Sequence, residues 1–192
     1  ALWRWEIMFT SLKIHKDTPA VKQKLIHKLQ EVLASVGDRE IIVLCVGTDR
    51  STGDALGPLV GTSLAHAAVP VLGTLMDPVH AGNLEVRVKE VPQGAFIIAV
   101  DACLGERATV GNVNILPGPL HPGAGVGKEL ISVGDMHISG VVNVGGFMEY
   151  LTLQNTRLAF VMELAELIAE AIEAVIIQRG TDRKVAVGID VE

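Results

Sequence analysis

Ile41-Ile42-Val43-Leu44-Cys45-Val46-Gly47-Thr48-Asp49-Arg50-Ser51-Thr52-Gly53-Asp54-Ala55-Leu56-Gly57-Pro58 reads as a strand handing over to a helix. Residues 41–46 are uniformly apolar, the composition of a strand buried on both faces. The polar, glycine-bearing stretch after them reads as a tight loop. From near Asp54 to about Ala68 the residues Leu56, Leu59, Val60, Leu64 and Ala67 recur at helical spacing. Asp54 therefore stands where a strand meets a helix. In open α/β sheets ligands bind in the crevice outside the carboxyl ends of the strands. A second apolar run, Ala95-Phe96-Ile97-Ile98-Ala99-Val100, ends the same way in Asp101. Two carboxylates at two strand ends of one sheet suggest a shared site.

The rest of the chain is consistent with that frame. Residues 1–16 alternate weakly through Ile7, Phe9, Leu12 and Ile14, the pattern of an edge strand, with Trp3 and Trp5 as packing residues or a loose end. Thr18-Pro19 reads as an N-cap followed by proline at the first helical position. Val21, Leu25, Leu29, Val32 and Val36 then form one helical face, stopped by Gly37. Pro70 to Leu75 is a short strand candidate. Asn83 to Val91 fits both strand alternation and a helix; the helix is preferred because it bridges two parallel strands. Val113 to Leu116 is a further strand, Pro117 to Gly127 a Pro/Gly loop, and residues 130–144 contain another strand. The last helix is expected from about Asn155 to Gln178. Its face Leu158, Val161, Leu164, Ala165, Ile168, Ile172, Val175 and Ile176 points in, and Gly180 is its stop. Strands alternating with helices predict an α/β protein, a three-layer α/β/α sandwich on a mostly parallel mixed sheet. One domain spanning residues 1–192 is expected, with its core at about 12–178 and peripheral tails at 1–11 and 181–192.

Composition excludes several classes. With 49% hydrophobic residues and 20 glycines the chain reads as a compact domain with tight loops, not a disordered one. A net charge of −6 gives no electrostatic case for nucleic acid or an anionic membrane. No run of about 18 apolar residues exists to span a bilayer, and residues 1–16 lack the pattern of a secretion signal. A cytoplasmic protein is expected. Cys45 and Cys103 form no CxxC pattern and read as buried free thiols.

Asp54 could simply cap a helix, and Asp101 a turn. As a pair they can share a proton, one acting as base and the other as acid around a water. Alternatively they can bind a divalent cation together with a histidine. His80, His121 and His137 fall in or near predicted loops, and His121 is favoured because its loop is richest in glycine. No cofactor is required by the sequence, and a divalent metal stays open. The loop around Gly123 and Gly125 fails the phosphate-binding P-loop pattern: Pro122 replaces its first glycine, and Glu129 follows Gly127-Lys128. Its backbone N–H groups could still bind an oxyanion or a peptide carbonyl. Ser51 and Ser63 lie in no nucleophile-elbow pattern. Cys103, beside Asp101, is a candidate nucleophile without a legible activating setting.

Asp54-Ala55-Leu56-Gly57-Pro58, Val100-Asp101-Ala102 and His121-Pro122-Gly123-Ala124-Gly125-Val126-Gly127, in that order, resemble the spore germination protease family. Gly47 to Asp54, with Gly145 to Leu158, is more similar still to the smaller YyaC-type sporulation proteins. The resemblance covers about residues 12–178. It implies the phosphorylase/hydrolase-like sandwich shared with the hydrogenase maturation proteases. It implies catalytic roles for Asp54 and Asp101, substrate contacts at Thr48, Asp49, His121, Gly123 and Gly125, and a protein or peptide substrate. In the maturation proteases the corresponding acidic pair and a histidine bind metal, which would make Asp54, Asp101 and His121 the metal set here. Thr48 stands where both protease families carry asparagine, and the chain is much shorter than the germination protease. Two readings follow: a sporulation-associated, aspartate-dependent peptidase, or a binding or regulatory protein on the same scaffold. A metal-dependent maturation function is a third. A homo-oligomer is open, since an exposed apolar helix face could pair.

Overall fold

In the computed structural model, residues 9–67, 69–123 and 130–186 are described, with side chains up to residue 181. The readings of Trp3, Trp5, Gly125 and Lys128, and the end of the C-terminal tail, lie outside these residues. Six strands form one sheet: β1 (Leu12–His15), β2 (Ile41–Cys45), β3 (Val71–Leu72), β4 (Phe96–Gly105), β5 (Asn112–Pro117) and β6 (Met136–Val144). Their order is β1-β5-β6-β4-β2-β3. β3, β2, β4 and β6 run parallel, while β5 is antiparallel to both of its neighbours. The helices are α1 (Val21–Ala34), α2 (Leu56–His66), α3 (Leu84–Arg87), α4 (Glu149–Gln154) and α5 (Leu158–Ala186).

The two faces of the sheet are covered unequally. On one, Val43 and Cys45 of β2, Phe96, Ile98 and Val100 of β4 and Ile138 of β6 pack with Leu25 and Leu29 of α1, Leu56, Val60 and Leu64 of α2 and Leu164 and Ile168 of α5. Each of these side chains is essentially sealed from solvent, and each fully buried one contributes on the order of 1.5–3 kcal/mol. On the other face Leu44, Val46 and Ala99 form a smaller cluster with Val79, Leu84, Leu120 and Val133, from α3 and connecting segments, flanked by the partly buried Leu72, Val88, Ile97 and Leu130. The α/β sandwich expected from alternation is present, with a thin second layer. Side chains alternate along a strand. Asp101, two residues beyond Ala99, therefore projects from β4 on the thinly covered side.

Several expected boundaries move. Thr18 does not cap α1: the residue before Val21 is Ala20, in the left-handed region at φ 57, with no side-chain cap bond. The Thr18 carbonyl instead accepts from the Val21 N–H in a tight turn. β3 is two residues long, shorter than Pro70 to Leu75. β4 continues five residues past Val100, because β6 pairs with it through Gly105. α4 was not foreseen. Gly180 does not stop the last helix, which continues to Ala186. Glycine in a helix costs only about 1 kcal/mol, and Arg179 anchors this stretch. Its guanidinium donates to the Leu33 carbonyl at 2.6 Å and to the Gly37 carbonyl, just past the end of α1. Arg179→Ala is expected to lower stability by about 1–2 kcal/mol by freeing those carbonyls. Urea unfolding measures this, and an unchanged midpoint would mean water satisfies them equally well.

Candidate active site

The turn that carries Asp54 is built by close backbone packing. Beyond Cys45 the chain stays attached to its neighbours: Val46 N–H donates to Val100 O at 2.7 Å and Gly47 N–H to Val79 O at 2.8 Å. It then folds back, and Thr48 N–H donates to the Asp54 backbone carbonyl at 3.1 Å. Gly47 has φ 142, and a Cβ there would collide with that carbonyl. A Cβ on Gly57 would collide with the Val46 carbonyl, which fixes the first turn of α2 on the end of β2. Asp54 lies in a single 3-10 turn, Gly53–Ala55, and makes no side-chain cap bond to it or to α2. The capping explanation of Asp54 therefore fails, and its carboxyl is left for other work.

Asp101 is not at a strand end. β2 pairs with β4 only as far as Cys45 opposite Val100, so Asp101 is the first β4 residue past that pairing, while β6 continues on its other side. The chain leaves β2 through α2 toward β3, and leaves β4 toward β5, on opposite sides of the sheet. Asp54 and Asp101 thus flank the switch point at which α/β sheets bind ligands. Both line one cleft of about 920 Å³ on the thin side of the sheet.

Burial pushes the Asp101 carboxyl well above its usual range, the Asp54 charge pushes it further, and a 2.8 Å bond from Ala102 N–H opposes both. Burial also raises Asp54, against the Thr48 N–H and the charge of His80 when protonated. The two groups are electrostatically coupled, and Asp54 is the one with compensating neighbours.

A polar row runs across the sheet beside them. Lys13, Asn114, Ser139 and Asp101 are successive register partners on β1, β5, β6 and β4. Asn114 and Ser139 are buried, and Asn114 Nδ2 donates to Ser139 Oγ at 3.2 Å. Burial raises the Cys103 thiol and a bond with Ser139 lowers it, the net shift being upward. Cys103 therefore lacks the thiolate character a nucleophile needs. Cys45 is fully buried, and its thiol is pushed far up by desolvation. The sequence reading missed Asn114 and Ser139. Their signal was strand alternation: Asn114 lies between Val113 and Ile115, and Ser139 follows Ile138, all three in the main core.

The other site residues divide. Thr48, His80, His121, Gly123 and His137 line the cleft; Asp49 is exposed and does not. His121 Nδ1 is 2.7 Å from Ser132 Oγ. His80 Nδ1 accepts from Gly82 N–H at 3.0 Å. His137 lies in β6, not in a loop, and its Nδ1 pairs with Gly118 O at 3.0 Å, leaving Nε2 as the acceptor of the neutral ring. Among the described residues no three His, Cys, Asp or Glu side chains converge to hold a metal ion. His121 is thus not gathered with Asp54 and Asp101 as a ligand set. No helix among these residues is long and apolar enough to cross a membrane.

Comparison with known proteins gives the following. Residues 13–171 match the family of proteins of unknown function DUF1256. The chain is 49% identical over 168 residues to the uncharacterised protein YyaC of Bacillus subtilis (strain 168), covering 82% of this chain and 80% of that protein. Among solved structures, the [NiFe] hydrogenase maturation protease HycI from Thermococcus kodakarensis KOD1 superposes with a TM-score of 0.47 at 20% identity, covering 78% of this chain and 98% of that one.

Proposed function

The chain belongs to the DUF1256 family, and for this member of it we propose hydrolysis of a peptide bond by a water activated between Asp54 and Asp101. One observation carries the reading. Two carboxyl groups, both with raised pKa values and, among the described residues, neither capping a helix nor salt-bridged to a lysine or arginine, line the same large cleft. Carboxyls whose environments push their ionisation apart make an acid and a base. Asp54, favoured in its charged form by the Thr48 N–H and His80, ionises first and takes a proton from water. The hydroxide attacks the amide carbon. Asp101, kept protonated by burial and by the Asp54 charge, gives its proton to the developing oxyanion or to the leaving amine. The resemblance to germination proteases carries the rest of the proposal, that the substrate is a spore protein and the setting sporulation.

The test is incubation with small acid-soluble spore proteins and a peptide library, alongside Asp54→Asn and Asp101→Asn. Loss of cleavage by about 10²–10⁴-fold in each variant is expected for removal of a general base or acid. Activity should peak where only one carboxyl is ionised. Both limbs of the bell then shift upward from ordinary aspartate values, the basic limb further than the acidic one. No cleavage by the wild type, with or without divalent metals, sinks the proposal and leaves a binding protein on this scaffold.

A further inference from the structure

Resting on that reading, we propose that residues 147–151 form a docking lip for the substrate, an extended polypeptide segment that presents a large apolar or aromatic side chain beside the scissile bond. β6 ends at Val144, and Gly145-Gly146 turns the chain outward. The next residues leave large apolar side chains in solvent: Phe147 is 95% exposed, Met148 58%, Tyr150 60% and Leu151 42%. A contiguous group of this kind marks an interaction surface. Met148 also holds φ 65 and ψ 47, a left-handed conformation that a non-glycine residue adopts at a cost on the order of 1 kcal/mol. Local energetics thus oppose this arrangement, both in backbone strain and in unburied apolar surface.

The arrangement is nevertheless held rigidly, and held to the catalytic turn. Gly53 lies so close to α4 that a Cβ on it would come within 2.8 Å of Leu153 Cδ2 and 3.0 Å of Leu153 O. At the base of α4, Asn143 Nδ2 donates to Thr156 Oγ1 at 3.1 Å, and Thr156 Oγ1 donates to Thr152 O at 2.8 Å. Gln154 Nε2 donates to the Tyr150 hydroxyl at 2.8 Å, fixing that ring. The lip is anchored against the residue that precedes Asp54.

Its position names the occupant. Tyr150, Glu149 and Leu153 of α4 line the cleft that holds the carboxyl pair, so the lip meets the cleft wall at Glu149 and Tyr150. An extended segment sends successive side chains to opposite sides. It can therefore lay its backbone across Asp54 and Asp101 while one apolar side chain rests on Phe147 and Tyr150. A second copy of the chain fits less well: two chains of net charge −6 repel, and pairing through the lip would close the mouth of the cleft.

The experiment reads binding separately from cleavage. Two fluorescein-labelled dodecapeptides of Ser, Ala and Lys, one with a central Leu-Phe and one with Ser-Ser, are titrated by anisotropy into the Asp54→Asn protein. The Leu-Phe peptide is expected to bind about 10-fold tighter, and adding Phe147→Ser with Tyr150→Ser should erase the difference while leaving the melting temperature unchanged. Equal affinity for both peptides overturns the proposal, as does a preference that survives the double substitution. A wild-type dimer in sedimentation equilibrium that the double substitution dissociates also overturns it, in favour of a second copy. A preference for Leu-Phe in a protein whose wild type cleaves nothing would keep the lip and remove only the hydrolytic reading.

Discussion

Asp101→Asn is expected to remove hydrolytic activity and to raise the melting temperature at pH 7. The sign follows from linkage. An unfolded aspartate ionises near 3.8, whereas burial and the neighbouring Asp54 charge hold folded Asp101 well above that. Between those two values the folded protein carries more protons than the unfolded one, so stability falls as pH rises through the window. At neutral pH the fold therefore bears the cost of a strained carboxyl, and below about pH 4 it does not. Asparagine keeps the shape and the oxygen that accepts the Ala102 N–H, and it cannot ionise. A gain of about 1 kcal/mol, ~2–4 °C for a chain of this size, is expected at pH 7 and should vanish toward pH 4. Asp54→Asn should act in the same direction, since its pKa is raised too. Activity lost with stability gained is the mark of a residue kept for chemistry. A fall in melting temperature at pH 7 for Asp101→Asn would mark a structural carboxylate instead.

Gly47→Ala is expected to be among the most damaging single-methyl changes in the chain. The added Cβ would meet the Asp54 backbone carbonyl and approach Pro58 Cδ at 3.0 Å, at a backbone φ of 142 that side chains rarely adopt. Neither obstacle is the free end of a flexible side chain. The turn cannot move away, because α2 is pressed on β2 through Gly57 and Val46, and the Gly47 N–H is bonded to Val79. Steric and backbone costs together should exceed about 4 kcal/mol, enough to unfold a marginal domain. Guanidinium unfolding monitored by circular dichroism measures it, and a loss below about 1 kcal/mol would show that the close approach is not tight.

The course of the fold was largely legible because its signals are local. The uniform apolar runs at 41–46 and 95–100 reappear as β2 and β4, and the periodic faces Leu25-Leu29-Val32 and Leu56-Val60-Leu64 are buried as expected. The misreadings lie where a boundary depends on a partner. β4 outlasts its apolar run because β6 keeps pairing with it. The last helix passes Gly180, next to Arg179, whose bonds reach the end of α1. The strand expected within residues 130–144 takes in His137, which the sequence places only in or near a loop, because β6 pairs with β4 from Met136 onward.

The same division holds for the site. Period and punctuation within single segments determined that a carboxylate stands just past the apolar run 95–100 and another at the turn after the run 41–46. Spacing along a chain carries no record of which strands become neighbours, and the remainder depended on that. The tertiary structure ended β2 one pair short of Asp101, set Ser139 and Asn114 in register with it, and among the described residues gathered no three side chains into a metal set. It also pressed α4 onto Gly53, so that an apolar lip stands beside Asp54. Strand and helix are properties of a few adjacent residues. A cleft is a property of elements brought together across the sheet, and only their packing creates it.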